Sequence, residues 1–196
     1  MRPLVNMLLV MLGLSLTGCG SLLQSDAPAA THWWLVASPL PESTPRLQWP
    51  LVLHLDVVPG LDTDRILNLN DQARLNSYSG ATWPDALPEV LESLVQRSLE
   101  PVSDAPIRRG TRADANACLL ALQVREFFGR VDSADVTRNV RFEIQGELAC
   151  PQFKRVVASR QSIPVSENRM GSIVGAFQQA LDSGLQDLSG QLAAPP

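Results

Sequence analysis

The chain has 196 residues, with 16 Lys+Arg against 20 Asp+Glu and a net charge of −4. A hydrophobic content of 45% at this length excludes disordered, collagen-like and coiled-coil classes and leaves room for one core. The acidic balance excludes nucleic acid as a partner through bulk charge, because such binding neutralises many phosphates with Lys and Arg.

Arg2 and the apolar run Leu4 to Leu16 have the order of a secretory signal, a positive start followed by an h-region too short to span a bilayer. The run ends Leu16-Thr17-Gly18-Cys19, which resembles a bacterial lipobox. On that reading residues 1–18 are a lipoprotein signal peptide and Cys19 is the lipidated first residue of the mature chain. A plain signal with an incidental cysteine, or an uncleaved anchor, are the alternatives. Several acyl chains (palmitate or the like) on Cys19 would hold the protein at a bilayer durably, as one chain would not. Gly20 in place of Asp favours the outer over the inner membrane by resemblance to bacterial sorting rules. Residues 19–31 read GSLLQSDAPAAT after the cysteine, a tether composition, and the folded domain is expected over 32–192.

Within the domain, Trp33-Trp34-Leu35-Val36 and Leu51 to Val58 are apolar runs closed by Pro-containing breaks, so both predict strands, the second a central one. Of the adjacent Trp33 and Trp34, one is expected to face the core and one the solvent, a lipid-facing or ligand-stacking pair being the alternative. Arg65 to Leu69 and Gln72 to Tyr78 flank a polar Asn70-Asp71 turn and predict a hairpin. Leu87, Val90, Leu91, Leu94, Val95 and Leu99 lie on one helix face, started by Pro84 or Asp85 and stopped before Pro101. A loop carrying Arg108, Arg109 and Arg112 follows; it is expected to be solvated, with lipid headgroups or a partner's carboxylates as the alternative. Cys118 to Phe127 and Val140 to Cys150 predict two strands, the second with Val140, Phe142, Ile144, Leu148 and Cys150 inward and Arg141, Glu143, Gln145 and Glu147 outward. Lys154 to Ile163 predicts another strand. Met170, Ile173, Val174, Phe177, Leu181, Leu185 and Leu188 mark a closing helix, with GQLAAPP expected to fray. The fold class is therefore α+β: a two-layer domain with one mixed, largely antiparallel sheet and two helices on its apolar face.

If the strands around Cys118 and Cys150 form a hairpin turning near Asp132 to Asp135, a constant residue sum sets Cys118 opposite Cys150. Leu120 then faces Leu148, Leu122 faces Gly146 and Val124 faces Ile144. Cross-strand partners share a face, so the sulfurs can meet, and an exported protein favours their oxidation. A pair of free buried thiols is the other outcome.

No sequence pattern for a catalytic serine elbow, a zinc-protease helix, a phosphate loop or a Cys-x-x-Cys pair is present. His32 and His54 are the two histidines, and a zinc site would need further ligands; neither a catalytic role, a cofactor nor a metal is expected. His54 is read as half-buried in its strand, His32 as exposed. Gly171-x-x-x-Gly175 has the spacing of a close helix approach to the sheet.

The order of these features resembles the ABC-type transport auxiliary lipoproteins, the PqiC-like accessory family. The resemblance rests on Trp33-Trp34-Leu35-Val36 after a lipobox, the turn Val58 to Asp62, the stretch Arg74 to Trp83 leading into a helix, and the strand ending in Glu126-Phe127. Ala158 to Leu188 fits the same plan, whereas tyrosines commonly stand in the family where this chain has its tryptophans. It implies a non-catalytic periplasmic lipoprotein that serves an MCE-domain protein and a permease of the ABC or PqiA type in moving lipids or other hydrophobic molecules across the envelope. It leaves room for a homo-oligomer. The competing class is an outer-membrane assembly lipoprotein that escorts a β-barrel, and a periplasmic domain with an apolar ligand pocket is a third.

Overall fold

The computed structural model describes residues 30–193, so the expected signal peptide, Cys19 and most of the expected tether lie outside the described residues. One sheet of eight strands and two helices make up the domain, an α+β fold. The strands are β1 (Thr31–His32), β2 (Leu51–Val57), β3 (Arg65–Asn70), β4 (Leu75–Thr82), β5 (Arg108–Arg109), β6 (Cys118–Val131), β7 (Thr137–Ala149) and β8 (Lys154–Pro164). Helix α1 spans Leu87–Leu99 and helix α2 spans Met170–Ala193.

β6 is the organising strand because its 14 residues outrun either partner on one edge. Its first half pairs in parallel with β2, from Leu51↔Cys118 to Val57↔Val124, and its end pairs in parallel with β3 at Asn68↔Gly129 to Asn70↔Val131. The sheet therefore forks: β2 carries β5, and β3 carries the β4 hairpin with β1 at its rim. On its other edge β6 begins an antiparallel meander through β7 and β8.

The β6/β7 register follows the constant sum derived from the cysteines: Leu120↔Leu148, Leu122↔Gly146 and Val124↔Ile144. Beyond Val124 the pairing shifts at a bulge, Glu126 pairing Glu143 and Phe127 pairing Phe142. The extra residue, Arg125, stays exposed, and the shift lets Phe127 point inward although Val124 does so three positions earlier. Val140, Phe142, Ile144 and Leu148 are buried. The other face carries ion pairs across the meander, Arg160–Glu143, Arg141–Glu126 and Lys154–Glu147. Exposed cross-strand pairs of this kind are worth at most about 1 kcal/mol each and mainly keep this face wet. β8 alternates as regularly as β7, which its mixed composition hides: Val157 is buried whereas Val156 is 76% exposed.

Both helices lie on the apolar face, α1 over β2 and α2 across β7 and β8. Trp83, Phe127, Phe142 and Phe177 meet at the centre with ring centroids 4.8 to 5.8 Å apart. Offset and edge-on contacts at these distances add about 0.5–1.5 kcal/mol each beyond area burial. α1 begins without a side-chain cap, later than Pro84 or Asp85 would start it. A backbone carbonyl serves its first N–H instead, Leu87 N–H donating to Thr63 O, while Trp83 N–H donates to Asp64 O in the loop before it.

Two sequence expectations are corrected here. Gly171 and Gly175 do not mark a close approach, since a Cβ on either would meet nothing within 4 Å. Gly184 marks it: a Cβ there would stand 2.7 Å from Cδ1 of Phe142. The C-terminal residues Gly190 to Ala193 are helical and held, with Leu192 buried and the Gln191 side chain bonded to the backbone of Ala158. That contact protects the outer edge of β8, which would otherwise present unpaired donors and acceptors.

Candidate functional site

Three surface regions carry the residues singled out from the sequence. The first is the segment after β1. Trp33 to Val36 was expected to be a strand, but ladder pairing with β4 ends near His32 and the backbone instead crosses the helix layer. Its bonds come from helix side chains. Val36 N–H donates to Gln178 Oε1 at 2.9 Å and Val36 O accepts from Gln178 Nε2 at 3.1 Å. Ser38 N–H donates to Ser98 Oγ on α1 at 2.7 Å, and Ser38 Oγ to Asp182 Oδ1 on α2 at 2.6 Å. The Gln178 amide also donates to Asp182 at 2.7 Å. The strap is thus tied to both helices, with alternate residues turned in and out. Leu35 is buried and Trp33 packs against the core, while Trp34 is 66% and Val36 57% exposed. Between the strap and α1 lies an open groove of about 300 Å³ whose apolar lining includes Trp34, Leu35, Pro84, Val90 and Leu94, with Asp85, Glu89 and Arg97 at its polar part.

A second region is the arginine loop, where Arg108 and Arg109 form β5 on the edge of β2. Arg108 pairs with Asp114 at 2.7 Å, and Arg109 donates to Gln96 at 2.7 Å beside Glu92. These two guanidinium groups hold the loop to its own domain, in keeping with the solvated reading.

The third is the end of the β6/β7 hairpin. Cys118 and Cys150 form a disulfide, with Cα atoms 4.2 Å apart and Cys118 fully buried. Trp49 covers it, its indole N–H directed at Cys150 Sγ at 3.0 Å and its ring edge-on to Phe153 at 5.7 Å. A shallow depression of about 420 Å³ lies alongside, lined by Trp49, Phe153, Gln152 and Asn116.

The two histidines are not brought together. His32 is exposed on β1, within 3.0 Å of Thr82 Oγ1, and His54 is half-buried on β2, with β4, β3 and β6 between their strands. Among the described residues no group of three or more His, Cys, Asp or Glu could hold a metal ion.

Sequence reasoning passed over Tyr78. Its ring lies across Gly129, and its hydroxyl reaches Thr137 Oγ1 on β7 at 2.9 Å, so β4 is latched to the meander over two intervening strands. Burial raises the phenol pKa, opposed by the Thr137 bond. The signal was Gly129 itself, a glycine inside a long apolar strand where a neighbour comes close. Next to this latch, at the end of the hairpin away from the disulfide, Asp132 caps the β6/β7 turn: it accepts from the N–H groups of Val136 and Ala134 and pairs with Arg138. The Val136 N–H, and after it Arg138 and Ala134, hold its carboxyl below the usual range.

No family model matches the chain, and no curated protein matches it. Solved structures do. Protein XCC0632 from Xanthomonas campestris, of the DUF330 family, superposes with a TM-score of 0.64 at 24% identity, over 84% of this chain and 92% of that one. An uncharacterized protein superposes with a TM-score of 0.58 at 14% identity, over 85% and 97%. Both share its fold.

Proposed function

We propose that this chain is a lipid-anchored, non-catalytic accessory of an envelope transport system built on an MCE-domain protein and its permease, placed on the periplasmic side of the outer membrane. The observation that carries the reading is Leu16-Thr17-Gly18-Cys19 at the end of a short h-region, a tether's length before a domain with the fold of a DUF330 protein. DUF330 proteins are the PqiC-like family, to which the sequence also bears its resemblance. The surface supports a binding role: an apolar strap held rigidly by polar clasps, and grooves that are open and shallow. No step of chemistry is assigned to any residue. The anchor is tested by replacing Cys19→Ala and fractionating the envelope. The reading expects the wild type in the membrane fraction, with the mass of an acylated mature N-terminus. It expects the variant as a precursor or a released domain. Unchanged attachment of the variant would contradict it.

A further inference from the structure

The strap divides the Trp33-Trp34 pair into one half-buried residue packed against the core and one outward residue, and the outward one has an apolar companion in Val36. Exposing a Trp and a Val side by side is unfavourable in water, yet the backbone beneath them is fastened at Val36 and Ser38 by Gln178, Ser98 and Asp182. A fastened strap cannot turn these side chains inward, so their exposure is built in. Position in the chain says what covers them. Only ten residues, 20–29, separate Cys19 from Ala30, and the eleven steps between their Cα atoms reach at most about 35–40 Å. Trp34 stands four residues further on, at the point where the tether enters the domain. Whatever surface holds the acyl chains is therefore within reach of this face.

We propose that the strap face, with Trp34 and Val36 leading and the Pro84, Val90 and Leu94 side of the groove behind them, rests on the phospholipid surface that carries the anchor. The contact sets the orientation of the domain on the membrane. This rests on the lipoprotein reading above. An indole belongs at the headgroup level, where its ring is dehydrated and its N–H still meets polar groups. The polar residues of the groove are mixed in sign, Asp85 and Glu89 with Arg97, so the surface suits zwitterionic phospholipid and its contact is nearly independent of salt.

The test uses the full mature lipoprotein in vesicles of zwitterionic phospholipid, with ordinary or brominated acyl chains, at low and high salt. Of the four tryptophans, Trp83 is buried, Trp33 is turned against the core and Trp49 lies against a disulfide, so Trp34 dominates any lipid-dependent change in indole emission, and Trp34→Phe reports what the other three contribute. Bromolipid is expected to lower wild-type emission by about a third and that of Trp34→Phe by less than about a tenth, with little effect of salt. Attachment without a difference between the two lipids, or equal quenching in Trp34→Phe, overturns the docking face and leaves the anchor standing. A self-associated protein that hides Trp34 gives the first of these results. A protein that carries no acyl group and does not attach overturns the anchor and this inference together.

Discussion

Replacing Gly129→Ala should undo the latch between the β4 hairpin and the meander. A Cβ at position 129 would fall on the Tyr78 hydroxyl and stand 3.2 Å from both Tyr78 Cζ and Thr137 Cγ2. The ring must leave, losing its 2.9 Å bond to Thr137 and the packing over Gly129. The bond contributes about 1 kcal/mol and the forced repacking adds about 1–3 kcal/mol, so the variant should lose about 2–4 kcal/mol. With Tyr78→Ala already in place the same substitution meets no ring, and a strand alanine is favoured over glycine by about 0.5–1 kcal/mol. The double-mutant cycle in urea should therefore return a coupling energy of about 2.5–5 kcal/mol at an unchanged m-value. A second readout comes from composition, because Tyr78 is the single tyrosine and its ionisation at 295 nm is read alone. In the wild type burial keeps the phenol neutral above its ordinary range, so stability is full below that range and falls as pH rises through it. In Gly129→Ala the phenol should titrate close to its ordinary value. Equal cost of the substitution in both Tyr78 backgrounds, or an unmoved titration, would refute the latch.

The α2 glycines should divide. Gly175→Ala should be neutral or stabilising by up to about 1 kcal/mol, and Gly184→Ala destabilising by about 1–3 kcal/mol through Phe142; chemical denaturation of both variants checks the contrast. Reducing Cys118–Cys150 should destabilise the domain by about 3–4 kcal/mol in the chain-entropy model. It should also brighten Trp49, because a disulfide beside an indole quenches its emission; an unreduced, denatured protein with two alkylatable thiols would contradict the bond. Asp132 has its pKa lowered by bonds present only in the fold, so its contribution is present above the ordinary Asp range and is lost as pH falls through the folded value. The stability difference between wild type and Asp132→Asn should accordingly shrink as pH falls through that window, as measured by urea midpoints.

The meander was legible because its information is local: alternation sets the face of each β7 residue, and two cysteines in one hairpin set its register. The bulge at Arg125 was hidden, since Val124 and Phe127 each look correct in isolation and only the pairing shift shows an extra residue. Trp33 to Val36 has the composition of a strand, but its partner is the side chain of Gln178, 142 residues away, and no local pattern reports such a contact. The C-terminal residues read as frayed for the same reason, their partners lying in β8 and in the core. Gly171 and Gly175 satisfied a spacing rule, whereas the close approach fell at Gly184, where the facing ring of Phe142 decides it. Of the outward features, the division of labour between Trp33 and Trp34 follows from their adjacency. The polar clasp that makes Trp34 a fixed element does not.

The proposed accessory role is tested most directly by the set of neighbours the protein has in the cell that makes it. Crosslinking the full-length protein in cells, purifying it and identifying the joined peptides by mass spectrometry should recover an MCE-domain protein together with its permease. Recovery of an outer-membrane β-barrel alone, or of no partner, would contradict the accessory role and leave the likeness to DUF330 proteins as one of fold.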